Sequence, residues 1–180
     1  MKKIVIFICF CTISLSANTY KDFYYNLKHR NYEKACNIGR DIVFHNKVDE
    51  KLTSLIAKAC LKGDFIDTLG VIQSKLRETS TSRMNSVVLS SVILQKRLII
   101  QFMYDDVDIS SFALPVIDHP LSHTFVAIRD KNYKLISKTP KIIEFENGES
   151  RYRVYIDYTS KGRVVIEVKN KNKIEIHRYL

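Results

Sequence analysis

Near residue 108 the spacing of apolar side chains changes from helical to alternating, which constrains the chain to helices first and strands second. From Thr19 to about Asp105 apolar residues recur at i, i+3, i+4 and i+7 in five segments. Tyr20, Phe23, Tyr24 and Leu27 mark the first; Tyr32, Ala35, Cys36, Gly39, Ile42 and Val43 the second; Leu52, Leu55, Ile56, Ala59 and Cys60 the third, with Asp49 as its N-cap. Phe65, Leu69, Ile72 and Leu76 form a fourth after Gly63-Asp64, where glycine stops one helix and aspartate caps the next. The fifth, from about Ser82 to Phe102, is the longest and apolar enough to be buried against both neighbours.

Beyond Asp108 the period is two. Ser110 to Pro120 reads as a linker with two prolines, followed by short strands at Thr124–Ile128, Tyr133–Ser137 and Ile142–Glu146. Asn147-Gly148 is a hairpin signal, since both residues tolerate the positive φ of a type I′ turn. Tyr152, Val154, Ile156 and Tyr158, then Val164, Ile166 and Val168, then Ile174 and Ile176 alternate with charged residues, predicting a meander with one apolar and one charged face. The apolar face must be covered, by curling of the sheet or by the long fifth helix. The fold class is therefore α+β: a signal peptide over 1–17, a helical domain over 18–110 with about five helices, a linker over 111–121, and a small antiparallel β domain over 122–180.

The leader has a positive start at Lys2 and Lys3, an apolar run from Ile4 to Ile13 and small residues at Ser14-Leu15-Ser16-Ala17, with cleavage after Ser16 or Ala17. Its apolar run is too short to span a bilayer, and no later stretch is long enough without charges, so no transmembrane span is expected. The mature chain is expected in the periplasm or outside the cell. Cys36 and Cys60 remain there, equidistant from residue 48 in the turn Asn46-Lys47-Val48-Asp49, so an antiparallel helical hairpin would bring them face to face as a disulfide. Two buried thiols serving as small apolar residues are the other outcome.

Arg30-Asn31-Tyr32-Glu33-Lys34-Ala35 aligns with Gly63-Asp64-Phe65-Ile66-Asp67-Thr68 at an offset of 33, an aromatic residue opening the second helix each time. In Asn31-Tyr32-Glu33-Lys34-Ala35 and in its helix-pair period, the stretch from about 20 to 79 resembles the tetratricopeptide repeat. The resemblance implies stacked helical hairpins with a concave surface that holds a peptide or protein partner. A plain five-helix bundle fits the same periodicity.

The formal charge of +10 is spread along the chain, without the concentrated stripe that nucleic acid requires. The basic strand residues Arg151, Arg153, Arg163, Lys169 and Lys173 are the candidates for an anionic cell-wall polymer or lipid surface. Tyr24, Tyr25, Lys28, Arg30 and Asn31, near one hairpin end, are the candidates for a protein partner. The sequence carries no Gly-rich phosphate loop, Gly-x-Ser-x-Gly, His-Glu-x-x-His or Cys-x-x-Cys outside the leader, and so no catalytic set, cofactor or metal site is expected. His119 and His123 are spaced for a metal, but Pro120 between them argues against a helix there. Asp105, Asp106 and Asp108 read as a solvated helix end. The function expected is that of an exported, noncatalytic adaptor or assembly factor of the bacterial cell envelope. A cell-wall or lipopolysaccharide binding module acting through the basic strands is the alternative.

Overall fold

The computed structural model describes residues 10–179 apart from 47, 161 and 172. The first nine residues of the expected leader lie outside the described residues, and helix α1 (Phe10–Lys28) runs through the expected cleavage points. The elements are α1, α2 (Tyr32–His45), α3 (Glu50–Lys62), α4 (Leu69–Gln73), α5 (Ser80–Asp105), α6 (Pro120–Arg129) and five antiparallel strands in the order β1-β2-β3-β4-β5. This is the α+β class with a C-terminal meander. The chain divides into two compact units, Met1–Asn85 and Ser86–Leu180. The division falls inside α5, upstream of the change in periodicity near residue 108.

In the first unit, α2 packs on α1 and on α3. Phe23, Ala35, Cys36, Ile42, Val43, Ile56, Ala59 and Cys60 are all buried, the helical stripe the spacing requires. Cys36 and Cys60 form a disulfide with Cα atoms 4.6 Å apart, as their equal distance from the turn predicts. Asp49 does cap α3, accepting from the Leu52 N–H at 2.7 Å. The fourth segment is shorter than its pattern: only Leu69–Gln73 is α-helical, although Ile66, Leu69, Ile72 and Leu76 are all buried. The helix end before it also differs. Gly63 has φ −96° and Asp64 takes the left-handed conformation at φ 64°, so aspartate ends the turn instead of capping a following helix.

In the second unit, the stretch expected as a strand at Thr124–Ile128 is helix α6. The His119 side chain accepts from the Leu121 N–H, and Pro120 occupies the first turn, where its missing N–H costs nothing. The proline that argued against a helix therefore begins one. Leu121, Phe125 and Ile128 recur at helical spacing on its buried side.

The strands are β1 (Lys134–Lys138), β2 (Lys141–Asn147), β3 (Ser150–Asp157), β4 (Arg163–Asn170) and β5 (Lys173–Tyr179). A turn with a cis Thr139–Pro140 bond joins β1 to β2. The β2–β3 turn is shifted by one from the expected pair: Asn147 lies opposite Ser150, and the loop is Gly148-Glu149 with positive φ at Gly148 alone. That is the pattern of a type II′ turn.

Tyr152, Val154 and Ile156 of β3 and Val164, Ile166 and Val168 of β4 do share a buried face. Helix α6 packs on β4 and reaches that face through His123, which meets the Tyr152 hydroxyl at 2.8 Å. Helix α5 joins the sheet at its last turns: Lys141 donates to the Phe102 carbonyl at 2.6 Å, and the Tyr104 hydroxyl donates to the Gly162 carbonyl. Three expected members of the apolar face lie elsewhere. Tyr158 sits in a 3-10 turn after β3 and is exposed. On β5, the register pairs Ile176 with Glu167 and Ile174 with Lys169, which places both isoleucines on the opposite, outer face. His177 and Tyr179, opposite Ile166 and Val164, take the inner positions.

Helix α5 has 26 residues and a mean hydropathy of 1.4 over its most apolar stretch, long and apolar enough to cross a membrane by length and composition alone; 44% of that stretch is buried inside the molecule. Lys96 and Arg97 lie within the helix.

Candidate functional site

The loops that follow α1 and α3 are built alike. His29 donates to the Tyr25 carbonyl, Arg30 to Leu27 and Asn31 to Asn26; 34 residues on, Gly63 donates to Ala59, Asp64 to Leu61 and Phe65 to Cys60. Each helix ends with a residue at positive φ, Arg30 at 59° and Asp64 at 64°, and the backbone closes by the six-residue hydrogen bond of a Schellman motif. The equivalence is thus Arg30 with Asp64, at 34, one residue beyond the sequence alignment. The same motif ends α6, with Lys131 at φ 56°.

The two loops of the first unit border one open cleft of about 710 Å³. Arg30, Asn31 and Tyr32 of the first loop line one part; Lys62, Gly63 and Asp64 of the second line another; Glu33, Lys34 and Asn37 on the first turns of α2 complete it. Cations, anions and an aromatic ring alternate here without a hydrophobic floor, a composition suited to polar and charged groups of a partner chain. Two of the five residues expected to bind a partner, Arg30 and Asn31, line the cleft. Tyr24, Tyr25 and Lys28 are exposed on α1 outside it, the tyrosines at 49% and 60%. The Tyr25 ring lies 4.1 Å from the His29 ring, and His29 Nδ1 contacts the Tyr25 carbonyl at 2.7 Å. Sequence reasoning missed the contribution of Lys62 and Asp64, although their place in the second copy of the repeat was the signal that led there.

The basic strand residues are dispersed. Arg151, Arg153, Arg163 and Lys169 share the outer face, but Lys173 pairs with Asn170 on the other parity. The outer face also carries Glu144, Glu146 and Glu167. Arg153 binds Glu144 at 3.1 Å, Arg151 lies 3.5 Å from Glu146, and Tyr155 donates to Glu167 at 2.8 Å. Arg163 stands opposite Asp157 across β3–β4, and Lys173 bonds Glu175 at 2.7 Å. Opposite charges in adjacent rows make this a cross-strand ladder that neutralises much of its own positive potential.

A third cluster gathers around α6. His123 stands between the Tyr152 hydroxyl, at 2.8 Å, and Asp118, at 3.7 Å. The His119 and His177 rings lie 6.4 Å apart, and Glu175 is 3.9 Å from His177. Burial, together with the charges of Asp118 and Glu175, pushes the Tyr152 phenol above its usual range, so it stays protonated and serves as a hydrogen-bonding group. The arrangement latches α6 to β3. Among the described residues no three His, Cys, Asp or Glu side chains converge as a metal site.

No protein-family model, curated protein or solved structure matches the chain.

Proposed function

We propose that the chain is an exported, noncatalytic adaptor or assembly factor of the bacterial cell envelope, holding a protein partner at the loop ends of its first two helical hairpins. The observation that carries this reading is the pair of matching turns, 34 residues apart, that present Arg30, Lys34, Lys62 and Asp64 around one cleft, with Tyr24 and Tyr25 exposed nearby. Tyrosine supplies contact area at low entropic cost, and the arginine fork supplies directional hydrogen bonds. The 34-residue spacing supports the likeness to tetratricopeptide hairpins. The Cys36–Cys60 bond favours an oxidising compartment, in keeping with export.

The basic strand face ranks second as a binding surface for cell-wall polymer or lipopolysaccharide, because Arg151 and Arg153 already face glutamates. The two readings part under salt, since polyanion contacts weaken steeply with ionic strength. The test is capture of the tagged chain from crosslinked, solubilised envelope, washed at low and high salt, with an Arg30→Glu, Lys34→Glu variant in parallel. The adaptor reading expects one or two defined proteins that survive high salt and are lost from the variant. Recovery of wall material or lipid alone, released by salt and indifferent to the variant, would overturn it.

A further inference from the structure

The two edges of the sheet, β1 and β5, are built differently. β1 is five residues long, begins and ends with lysine, and is interrupted by a register irregularity between Leu135 and Ser137. Short length, edge lysines and an irregular register are devices that keep an edge from pairing with another chain. β5 has none of the interruption: all seven residues from Lys173 to Tyr179 pair with β4 in one unbroken register. It also carries Ile174 and Ile176 on the outer face, 59% and 45% exposed, with only the charged Lys169 and Glu167 opposite them on β4. β1 exposes Leu135 and Ile136 as well, but only β5 offers its apolar pair on an unbroken register, which is a surface prepared for another strand.

The sequence of β5 points to which strand that is. We propose that β5 pairs antiparallel with β5 of a second copy of this chain, about a two-fold axis at Ile176, joining two five-stranded sheets into one. Ile176 is the midpoint of the seven residues, so this register pairs the whole strand. Across the axis, Ile176 meets Ile176 of the other copy, and each Ile174 meets Arg178, whose aliphatic stem can lie over it. On the inner face each Glu175 meets His177, and each Lys173 meets Tyr179. No residue faces a like charge.

The neighbouring registers are worse. Centring on Glu175 sets two carboxylates directly opposite. Centring on His177 sets imidazole against imidazole and leaves Lys173 and Ile174 of each strand beyond the end of the other copy's β5. Half-integer registers would bring the outer face of one copy against the inner face of the other. A strand that is complementary to itself in its one full-length register is what an isologous interface requires.

The experiment combines sedimentation of the full chain over a concentration series with two cysteine variants and one charge variant. The wild type is expected to reach twice the mass of the 21.0 kDa chain as concentration rises. Ile176→Lys, which sets two ammonium groups face to face at the axis, is expected to remain monomeric with unchanged circular dichroism. On mild oxidation, Ile176→Cys is expected to yield the tryptic peptide 174–178 linked to itself, and Ile174→Cys at least tenfold less of its own, since residue 174 faces residue 178. The cysteine pair decides the matter even if the lysine variant fails to fold. A wild type that stays monomeric up to about 100 μM would overturn the proposal. So would a dimer indifferent to Ile176→Lys, or equal self-linking at 174 and 176.

Discussion

Gly39 of α2 and Ile56 of α3 approach so closely that a methyl group on Gly39 would lie 2.7 Å from Ile56 Cγ2 and 3.1 Å from Phe23 Cε2. Gly39 follows Cys36 by one helical turn and Ile56 precedes Cys60 by one turn, so the contact and the disulfide belong to the same seam. A glycine inside a helix ordinarily costs up to about 1 kcal/mol relative to alanine. Here that cost is outweighed by the approach it permits. Gly39→Ala is expected to destabilise the first unit by about 1–3 kcal/mol through overpacking, despite its better helix propensity. Urea denaturation measures this, and pairing it with Ile56→Ala, which removes both Cγ atoms that the added methyl would meet, is expected to cost less than the sum of the two single changes. Stabilisation by Gly39→Ala alone would mean the helices are not held this close.

The disulfide closes a loop of 24 residues in sequence separation, and in the chain-entropy account its loss costs about 3 kcal/mol. Cys36→Ala with Cys60→Ala is therefore expected to lower the urea midpoint of the transition involving α1 to α3. Dithiothreitol is expected to do the same to the wild type and nothing to the double variant. The double variant is the cleaner probe, because Ala35, Ala57 and Ala59 already show that the seam accepts small residues.

How much of this was legible in the sequence depends on which interaction set the outcome. The disulfide was legible because equal distance from a turn is a property of the chain itself. The Schellman ends of α1, α3 and α6 were not, because Arg30, Asp64 and Lys131 hold the positive φ that usually announces itself as glycine. Helix α6 was hidden by composition: Thr124-Phe125-Val126-Ala127-Ile128 has the β-branched and aromatic content of a strand, and only the cap at His119 and burial of one side decide for helix. The inner face of β5 was misassigned because alternation gives two parities and the strand pairing chooses between them. Ile174 and Ile176 look like core by hydropathy, yet Asn170 opposite Lys173 sets them outward. For the candidate cleft, the repeat located both loops, but the residues that line it from α3 required the packing of the hairpins.

Glu50 links α3 to the start of α5. Its carboxylate accepts from the backbone N–H groups of Arg77, of Glu78 at 2.6 Å and of Thr79 at 3.0 Å, just ahead of Ser80, the first residue of α5. Desolvation raises its pKa, but hydrogen bonds from Ser82 and from the Glu78, Thr79 and Arg77 backbone outweigh it and bring the value from 4.5 to about 2. A carboxyl with a depressed folded-state pKa stabilises above its unfolded value and loses that contribution as pH falls through the folded one. Urea midpoints are therefore expected to favour the wild type over Glu50→Gln at neutral pH, with the gap closing between pH 4.5 and about 2. A gap that stays constant across that range would show that the charge of Glu50 is not what the N–H groups hold.

Two buried polar side chains in the second unit make opposite predictions. Gln95 is fully buried and doubly engaged: its amide donates to the Pro115 carbonyl at 2.7 Å, and its oxygen accepts from the Ser122 hydroxyl at 2.7 Å. Thr124, also fully buried and two residues beyond Ser122 on α6, has a hydroxyl oxygen with no hydrogen-bond partner among the described residues. Removing one partner of a buried bond leaves the other desolvated at a cost of about 1–3 kcal/mol, whereas removing an unsatisfied group costs nothing in hydrogen bonding. Gln95→Leu is expected to destabilise by that amount and to be partly restored by adding Ser122→Ala, which removes the orphaned hydroxyl. Thr124→Val, nearly equal in volume, is expected to leave the melting temperature unchanged or raise it. Thermal unfolding of the three variants checks both expectations together, and a loss of stability in Thr124→Val comparable to that in Gln95→Leu would mean that the threonine hydroxyl has a partner in the folded protein.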